Sequence, residues 1–209
     1  MRLDTPVIGI LRGISAGFFG ELMPAAFAAG LQAIEVTINT ERAEEIIAAN
    51  RSLVPEGKWL GMGTIRTLAE AERAVAAGAM FLVTPNLDLA VIEFAKSHRI
   101  PVVAGALTPT EVYAAWRAGA EMIKVFPCGA MGGPAYIRDL RGPFEQVPLV
   151  AVGGVTIANL ADYLAAGVKG VGVSSALFGR EALASRDVGK LAENVRAFIG
   201  RCLAGQDHL

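Results

Sequence analysis

Lys124 and Glu35 are two ionisable residues whose sequence settings point to chemistry. Lys124 lies in residues 121–127, EMIKVFP, an apolar run that ends in proline and is typical of a short buried strand. Burial disfavours the ammonium form, so it lowers the pKa of the amine and makes it a nucleophile for carbonyl groups. None of the other four lysines has this setting. By position alone, a strand-end lysine that reaches solvent is the simpler interpretation; the rest of the chain favours the nucleophile.

Glu35 lies in a second apolar run, residues 33–39, AIEVTIN. Strand alternation places Glu35, Thr37 and Asn39 on one face and the isoleucines and valine on the other. A buried carboxylate needs a partner, and an inward lysine from another strand would supply one. The pair would be either a structural ion pair or a general acid/base beside an imine-forming amine.

Composition excludes several other classes of function. The chain has 209 residues, of which 53% are hydrophobic and 19% charged, so we expect one folded domain, residues 1–209. A net charge of −1 predicts no nucleic-acid partner, and no apolar run is long enough for a membrane span. Cys128 and Cys202 are too few for a disulfide framework, and His98 and His208 are too far apart for a zinc site. We therefore predict a cytoplasmic protein without a metal or other cofactor.

Eight short apolar runs alternate with helical patterns along the chain. The predicted strands are residues 7–11, 33–37, 59–63, 81–84, 102–105, 122–126, 149–152 and 170–174, and two of the clearer helical patterns are residues 68–77 and 159–166. A closing helix is predicted over residues 185–200, followed by a frayed tail over residues 203–209. Strands that alternate with helices pair in parallel through right-handed crossovers.

An internal repeat indicates how the sheet closes. The pair Ala-Gly recurs with its glycine at Gly30, Gly78, Gly119 and Gly167, at spacings of 48, 41 and 48 residues. Each glycine ends a helical pattern, as the left-handed residue that stops a helix does. Each spacing spans about two strand-helix units, so the pattern predicts a single-domain (β/α)8 TIM barrel. The alternative is an open doubly wound sheet, but no G-x-G-x-x-G follows the first strand.

Polar residues and glycines cluster where the predicted strands end. A (β/α)8 barrel places its active site at the carboxyl ends of its strands. The loops after strands seven and eight often bind phosphate through backbone N–H groups, although Gly153 and Gly154 could simply form a tight turn. Together with the family resemblance described next, these strand ends give the residues that we predict to bind substrate: Arg12, Asn39, Thr64, Pro85, Val152, Gly153, Gly154, Gly172, Ser174 and Ser175.

Six motifs at these strands occur in an order that resembles a known family. They are ILRG at 10–13, IEVT at 34–37, GMGT at 61–64, VTPN at 83–86, IKVFP at 123–127 and AVGGV at 151–155. Together they resemble the class I 2-keto-3-deoxy-6-phosphogluconate/6-phosphogalactonate (KDPG/KDPGal) aldolases, from about residue 7 to residue 178. The resemblance implies a homotrimeric barrel that cleaves a phosphorylated 2-keto-3-deoxy sugar acid into pyruvate and glyceraldehyde 3-phosphate.

The resemblance also implies residue roles. Lys124 matches the Schiff-base lysine, and Glu35 matches the general acid/base. Thr64 and Pro85 match residues around the pyruvate part, while the phosphate site corresponds to Gly153, Gly154 and Ser175. Position 174 is serine where relatives often have glycine, which weakens the expectation of a backbone role there.

Departures from the gluconate-type pattern point to the galactonate branch. Gluconate-type members have arginine in place of Asn39 and threonine in place of Val152. Asn39, Asn86 and Val152 resemble the galactonate branch, and Arg12 could bind the substrate carboxylate as a bidentate partner. We therefore predict a 2-dehydro-3-deoxy-6-phosphogalactonate aldolase. The alternatives are a 2-dehydro-3-deoxy-6-phosphogluconate/4-hydroxy-2-oxoglutarate aldolase, a metal-free phosphosugar isomerase or epimerase, and a non-catalytic binder of phosphorylated sugar acids.

Overall fold

Eight parallel strands form a closed barrel in the computed structural model, which describes residue 1 and residues 3–206. Each strand pairs with the next in sequence, and β8 pairs with β1 to close the barrel. The strands are β1 Val7–Leu11, β2 Ala33–Thr37, β3 Trp59–Gly63, β4 Leu82–Val83, β5 Val102–Ala106, β6 Met122–Val125, β7 Leu149–Val152 and β8 Gly170–Val173. The predicted (β/α)8 TIM barrel is confirmed.

Helices connect the strands on the outside of the barrel. They are α1 Ala16–Ala28, α2 Ala43–Asn50, α3 Leu68–Ala76, α4 Leu89–Ser97, α5 Pro109–Ala118, α6 Pro134–Arg141, α7 Leu160–Ala165, α8 Ser175–Phe178, α9 Arg180–Ser185 and α10 Val188–Gln206, with 3₁₀ turns at Arg51–Leu53 and Gly129–Met131. Among the described residues, no helix combines the length and apolar character that crossing a membrane requires.

The glycines of the Ala-Gly repeat end helices as predicted. Gly30, Gly78, Gly119 and Gly167 have φ values of 105°, 95°, 97° and 88°. Side chains rarely adopt this left-handed conformation, so glycine lets each helix stop and the chain turn directly into the next strand.

The fourth strand and the closing helix differ most from the prediction, while the bounds of the other strands agree to within one residue. The fourth strand is only Leu82–Val83, and it ends there because the Thr84 hydroxyl, and not a strand carbonyl, accepts the hydrogen bond from Gly105 N at 2.8 Å. The predicted closing helix is α10, which begins only at Val188, while Ser185 is the last residue of the separate helix α9. Arg186 has a φ of 56°, which ends α9, and Asp187 caps α10 by accepting a hydrogen bond from Lys190 N at 2.9 Å.

The predicted frayed tail is partly wrong. The backbone of residues 203–206 continues α10, because the helix extends beyond the predicted end to Gln206. Residues 207–209 of that tail, including His208, lie outside the described residues.

Two apolar cores result from strand alternation. Outward side chains such as Ile34 and Val36 pack against the helices in the larger core. The smaller core lies inside the barrel and contains Ile8, Ala33, Phe81, Val83, Val103, Met122, Val150 and Val152. Glu35 and Lys124 follow Ala33 and Met122 on the same inward faces, two residues nearer the carboxyl ends of β2 and β6.

Candidate active site

Lys124 is held inside the barrel by the strand that contains it. Its side chain is 6% exposed, and Gly105 and Val150 are its neighbours on β5 and β7. Burial lowers the pKa of the amine, the nearby Glu35 carboxylate opposes that change, and the Arg12 charge adds to it. The amine nitrogen lies 4.9 Å from the centre of the Phe126 ring. The surroundings therefore favour the neutral, nucleophilic amine more than water does.

Glu35 faces the same interior from β2 and is 1% exposed. Burial raises the pKa of its carboxyl from 4.5 to about 7, although the positive charges of Lys124 and Arg12 act in the opposite direction. Its Oε2 atom is buried and accepts no hydrogen bond from any described residue. A carboxyl with this pKa is present in both protonation states near neutral pH, as a group that both donates and accepts protons requires.

Thr64 and Arg12 meet at one side of the site. Arg12 Nη2 lies 3.4 Å from Thr64 Oγ1, within donating distance. Thr64 has a φ of 61°, which is unusual for a β-branched residue and stores backbone strain. This conformation directly follows β3, so the strain lies beside the predicted pyruvate pocket.

Pro85 can lie in the site because its backbone packs closely against Gly105 on β5, where there is no side chain. A Cβ at Gly105 would come within 2.4 Å of the Pro85 carbonyl carbon. The buried Thr84 hydroxyl fixes this turn by accepting from Gly105 N and donating to the Asn86 carbonyl at 2.7 Å. The loop after β4 therefore folds inward next to Lys124, which Gly105 neighbours in the sheet.

The loop after β7 presents its peptide groups in a fixed direction. The carbonyls of Val152 and Gly153 accept from Cys128 N and Gly129 N, both at 2.9 Å. Because the C=O and N–H of a trans peptide point in opposite directions, the N–H groups of Gly153 and Gly154 point away from the loop that follows β6. Gly153 and Gly154 have φ values of 92° and 82°, which only glycine adopts readily.

A cavity of about 320 Å³ connects these parts. Of the predicted catalytic and substrate-binding residues, those that line it are Arg12, Glu35, Thr64, Pro85, Lys124, Val152, Gly153, Gly154, Gly172, Ser174 and Ser175. The structure thus brings together residues from seven separate strand ends, while their roles in binding stay predictions.

Asn39 does not line this cavity, which corrects its expected place on the inward face. It is exposed, because β2 ends at Thr37 and the chain then turns. Thr40 N donates to the Thr37 carbonyl at 2.8 Å, and the hydroxyls of Thr37 and Thr40 lie 3.1 Å apart. Strand alternation stops where the strand stops, so it gives no guide to the direction of residue 39.

Sequence reasoning missed several residues that line the cavity: Ile10, Phe126, Val155, Val173 and Ala176. Alternation within β1 could have found Ile10, which shares the inward face of Ile8. Phe126 follows the lysine strand and is 39% exposed, so its apolar character gave no reason to place it at the mouth of a site.

This arrangement can form and break an imine. The poorly solvated amine of Lys124 faces the same cavity as the Glu35 carboxyl. That carboxyl has a pKa of about 7, and its Oε2 accepts no hydrogen bond from any described residue. The amine can attack a ketone, and the carboxyl can move the protons that dehydration and bond cleavage require.

Comparisons with known proteins agree with this chemistry. A family model described as "Aldolase: KDPG and KHG aldolase" matches residues 5–194. A probable 2-dehydro-3-deoxy-6-phosphogalactonate aldolase of Rhizobium meliloti is 33% identical, over 98% of this chain and 96% of its own. A 2-dehydro-3-deoxy-phosphogluconate aldolase of Treponema pallidum is 36% identical, over 69% of this chain and 68% of its own.

A solved structure described as native KDPGal superimposes with a TM-score of 0.92. It is 31% identical, over 99% of this chain and 98% of its own. Because the family model covers most of the sequence and the fold agrees throughout, the protein belongs to the KDPG and KHG aldolase family of lyases.

Proposed function

We propose that this protein cleaves 2-dehydro-3-deoxy-6-phosphogalactonate into pyruvate and D-glyceraldehyde 3-phosphate through a Schiff base on Lys124. The observation that carries the proposal is that Lys124 and Glu35 are buried in one cavity. Burial raises the pKa of Glu35 to about 7 and lowers the pKa of Lys124, so it favours the neutral form of each group.

The first half of the reaction forms the imine. Neutral Lys124 attacks the C2 ketone, and the resulting carbinolamine loses its oxygen as water, for which protonated Glu35 supplies the proton. The product is an iminium ion that joins Nζ to C2. Burial supports this step, because an amine without a full hydration shell keeps its lone pair available.

The second half breaks the carbon–carbon bond. Glu35, now a carboxylate, accepts the C4 hydroxyl proton as C3–C4 breaks. The bonding electrons move toward the iminium nitrogen and leave an enamine, while C4 leaves as the aldehyde carbon of glyceraldehyde 3-phosphate. Glu35 returns its proton to C3. Water then hydrolyses the new iminium to release pyruvate and neutral Lys124, and Glu35 takes up the proton that this step releases.

The two ends of the cavity suit the two ends of this substrate. Arg12 and Thr64 lie near Glu35 and Lys124, where the carboxylate beside the ketone would be held. The oriented N–H groups of Gly153 and Gly154, with Ser175 after the neighbouring strand β8, would bind the 6-phosphate. Remote binding of this kind orients the reacting carbon.

Val152 supports the galacto configuration at C4. Its side chain lines the cavity and offers no hydrogen-bond donor, so the enzyme does not select the gluco epimer by a hydrogen bond there. An apolar wall discriminates weakly. We therefore also propose the gluco epimer as a second, poorer substrate, a proposal that the relationship to gluconate-type aldolases favours. By analogy with the family we further propose a homotrimer in the cytoplasm.

Trapping with borohydride tests the Schiff base. Pyruvate plus borohydride is expected to add one reduced adduct, which peptide mapping assigns to Lys124. Lys124→Arg keeps a positive charge but cannot form the imine, so it should give no adduct. An adduct on another lysine, or none on the parent enzyme, would reject the mechanism.

Turnover of both C4 epimers tests the substrate. Pyruvate release is followed for each, and the larger kcat/KM is expected for the galacto epimer. A strong preference for the gluco epimer, with the galacto epimer almost inert, would reject the substrate but leave the Schiff-base chemistry standing.

A further inference from the structure

Gly63 on β3 faces the carboxyl group of Glu35 inside the barrel. A Cβ built on Gly63 would lie 2.5 Å from Glu35 Cδ, 2.5 Å from Oε2 and 2.6 Å from Oε1. Real side chains do not approach this closely, so the carboxyl occupies the space that any side chain at position 63 would need. Gly63 is paired with Thr37 in the sheet, and Glu35 leans along its strand to reach it.

Backbone conformation does not require glycine at this position. The φ of Gly63 lies outside the left-handed region, and its carbonyl accepts a strand hydrogen bond from Ile38 N at 2.8 Å. Alanine would fit such a backbone. The missing side chain, and not backbone freedom, is therefore what Gly63 contributes.

We propose that Gly63 is a positioning residue, which sets where the Glu35 carboxyl lies relative to Lys124 and the substrate by leaving it the space beside β3. The inference rests on the proposed role of Glu35 as acid and base. The methyl group of an alanine would push the carboxyl out of this space. The cavity that Glu35 lines is the open side into which the end of its flexible side chain can move.

Gly61, on the same strand and the same inward face, provides a matched control. A Cβ there would lie 2.5–2.6 Å from three atoms of the Phe81 ring. Alanine would therefore make equally close contacts at position 61 and position 63. Phe81 is a rigid, fully buried ring, whereas the Glu35 carboxyl is the end of a flexible chain beside a cavity. Alanine at the two positions should therefore have opposite consequences.

The experiment compares Gly63→Ala with Gly61→Ala. Gly63→Ala is expected to fold with a Tm close to that of the parent and to lose roughly 10- to 100-fold in kcat, as misplaced catalytic groups do, with a small change in KM. Gly61→Ala should lower Tm more and kcat less. Equal effects of the two variants on kcat would overturn the proposal.

The pH profile of kcat adds a readout that a purely structural glycine would not change. The charged groups that face Glu35 are Lys124 from β6 and Arg12 from the end of β1. In Gly63→Ala the carboxyl moves toward the cavity and becomes better hydrated, so its pKa should fall and the limb of the profile that reports Glu35 should move to lower pH. Gly61→Ala should leave that limb in place, and an unmoved limb in Gly63→Ala counts against the proposal.

A double-variant cycle separates this inference from the role of Glu35. Gly63→Ala should change kcat little in a Glu35→Gln background, because its effect acts through the carboxylate. If Glu35→Gln alone keeps full activity, the acid/base assignment fails. If Glu35→Gln is impaired but Gly63→Ala reduces kcat by the same factor in both backgrounds, the positioning role alone is wrong.

A size exchange covers the case in which Gly63→Ala does not fold. Glu35→Ala removes the group that the methyl would meet, so in that case Glu35→Ala with Gly63→Ala should recover a cooperative thermal unfolding transition. A double variant that also fails to fold would show that the methyl meets something other than Glu35, and the proposal would be wrong.

Discussion

The inside of the barrel has two layers, a lower one and, nearer the carboxyl ends of the strands, an upper one. In each layer a glycine on β3 leaves space that a neighbouring side chain fills. In the lower layer the Phe81 ring fills the space over Gly61, and apolar side chains surround it. In the upper layer, two residues along β3, the Glu35 carboxyl fills the space over Gly63. The lower contact packs two apolar groups, whereas the upper one holds a carboxyl that changes its protonation state in the proposed mechanism.

In the proposed mechanism, the apolar layer contributes to the chemistry above it. Glu35 and Lys124 are buried above an apolar layer that excludes water and contains Val83, Val103 and Val150. Burial is the largest cause of the pKa shifts of both groups. The apolar layer thus favours the neutral forms of both the lysine and the carboxyl.

The largest effect is expected when the upper layer is made apolar, as the lower layer is. Lys124→Met keeps a long, flexible side chain but removes the amine. Turnover should fall on the order of 10⁴-fold or more, as when a covalent nucleophile is deleted, while Tm should equal or exceed that of the parent. Steady-state rates and thermal unfolding measure the two effects. Substantial residual turnover would mean that another group forms the covalent bond, or that none is needed.

The converse change damages the lower layer alone. Phe81→Ala should reduce the free energy of unfolding by about 3–5 kcal/mol, because the ring is fully buried, while the folded enzyme should lose much less activity than Lys124→Met does. Denaturant unfolding and kcat, both at low temperature, provide the test. A variant with normal stability and abolished turnover would contradict the assignment of Phe81 to the structural layer.

Sequence reasoning predicted the barrel and most of the upper layer for a physical reason. Strand alternation and the Ala-Gly repeat are periodic, so they specified the barrel and the inward faces that carry Glu35 and Lys124. They could not specify the turn after Thr37, which directs Asn39 away from the cavity, because a local hydroxyl pair fixes that turn. Nor does a sequence reveal which glycine faces a ring and which faces a carboxyl, since this depends on how the side chains lean across neighbouring strands.

A smaller expected effect concerns Glu35 as a proton carrier. Glu35→Gln should reduce turnover by roughly 100-fold or more, the usual contribution of a general acid/base. Imine trapping on Lys124 should survive in part, because the amine still attacks the ketone. Trapping yield and kcat, measured on the same preparation, separate the two steps. Complete loss of trapping would show that formation of the imine itself requires Glu35.

Glu35→Gln should also change how the stability of the protein depends on pH. The folded protein raises the pKa of Glu35 from 4.5 to about 7, so the unfolded chain releases this proton first as the pH rises. The contribution of Glu35 to stability therefore falls between pH 4.5 and pH 7, by about 3 kcal/mol at most, and stays low at higher pH. Glu35→Gln lacks this loss, so its stability relative to the parent should rise from pH 4 to pH 8. Denaturant curves at several pH values measure the difference, and a constant difference would show that the carboxyl titrates normally.

Val152 belongs to both layers, and changing it should have the smallest effect. It packs in the apolar core inside the barrel, lines the cavity, and its Cγ2 occupies the space that a Cβ at Gly172 would need, at 2.7 Å. Val152→Thr keeps the shape but adds one hydroxyl, and one net hydrogen bond is worth about 1 kcal/mol. The ratio of kcat/KM for the gluco over the galacto epimer should therefore rise by up to about tenfold. Val155→Thr, the same exchange elsewhere in the cavity lining, should leave the ratio nearly constant. An unchanged ratio in Val152→Thr, or an equal shift in Val155→Thr, would mean that Val152 does not discriminate between the two configurations at C4. The boundary between the two layers would then have no part in selecting the substrate.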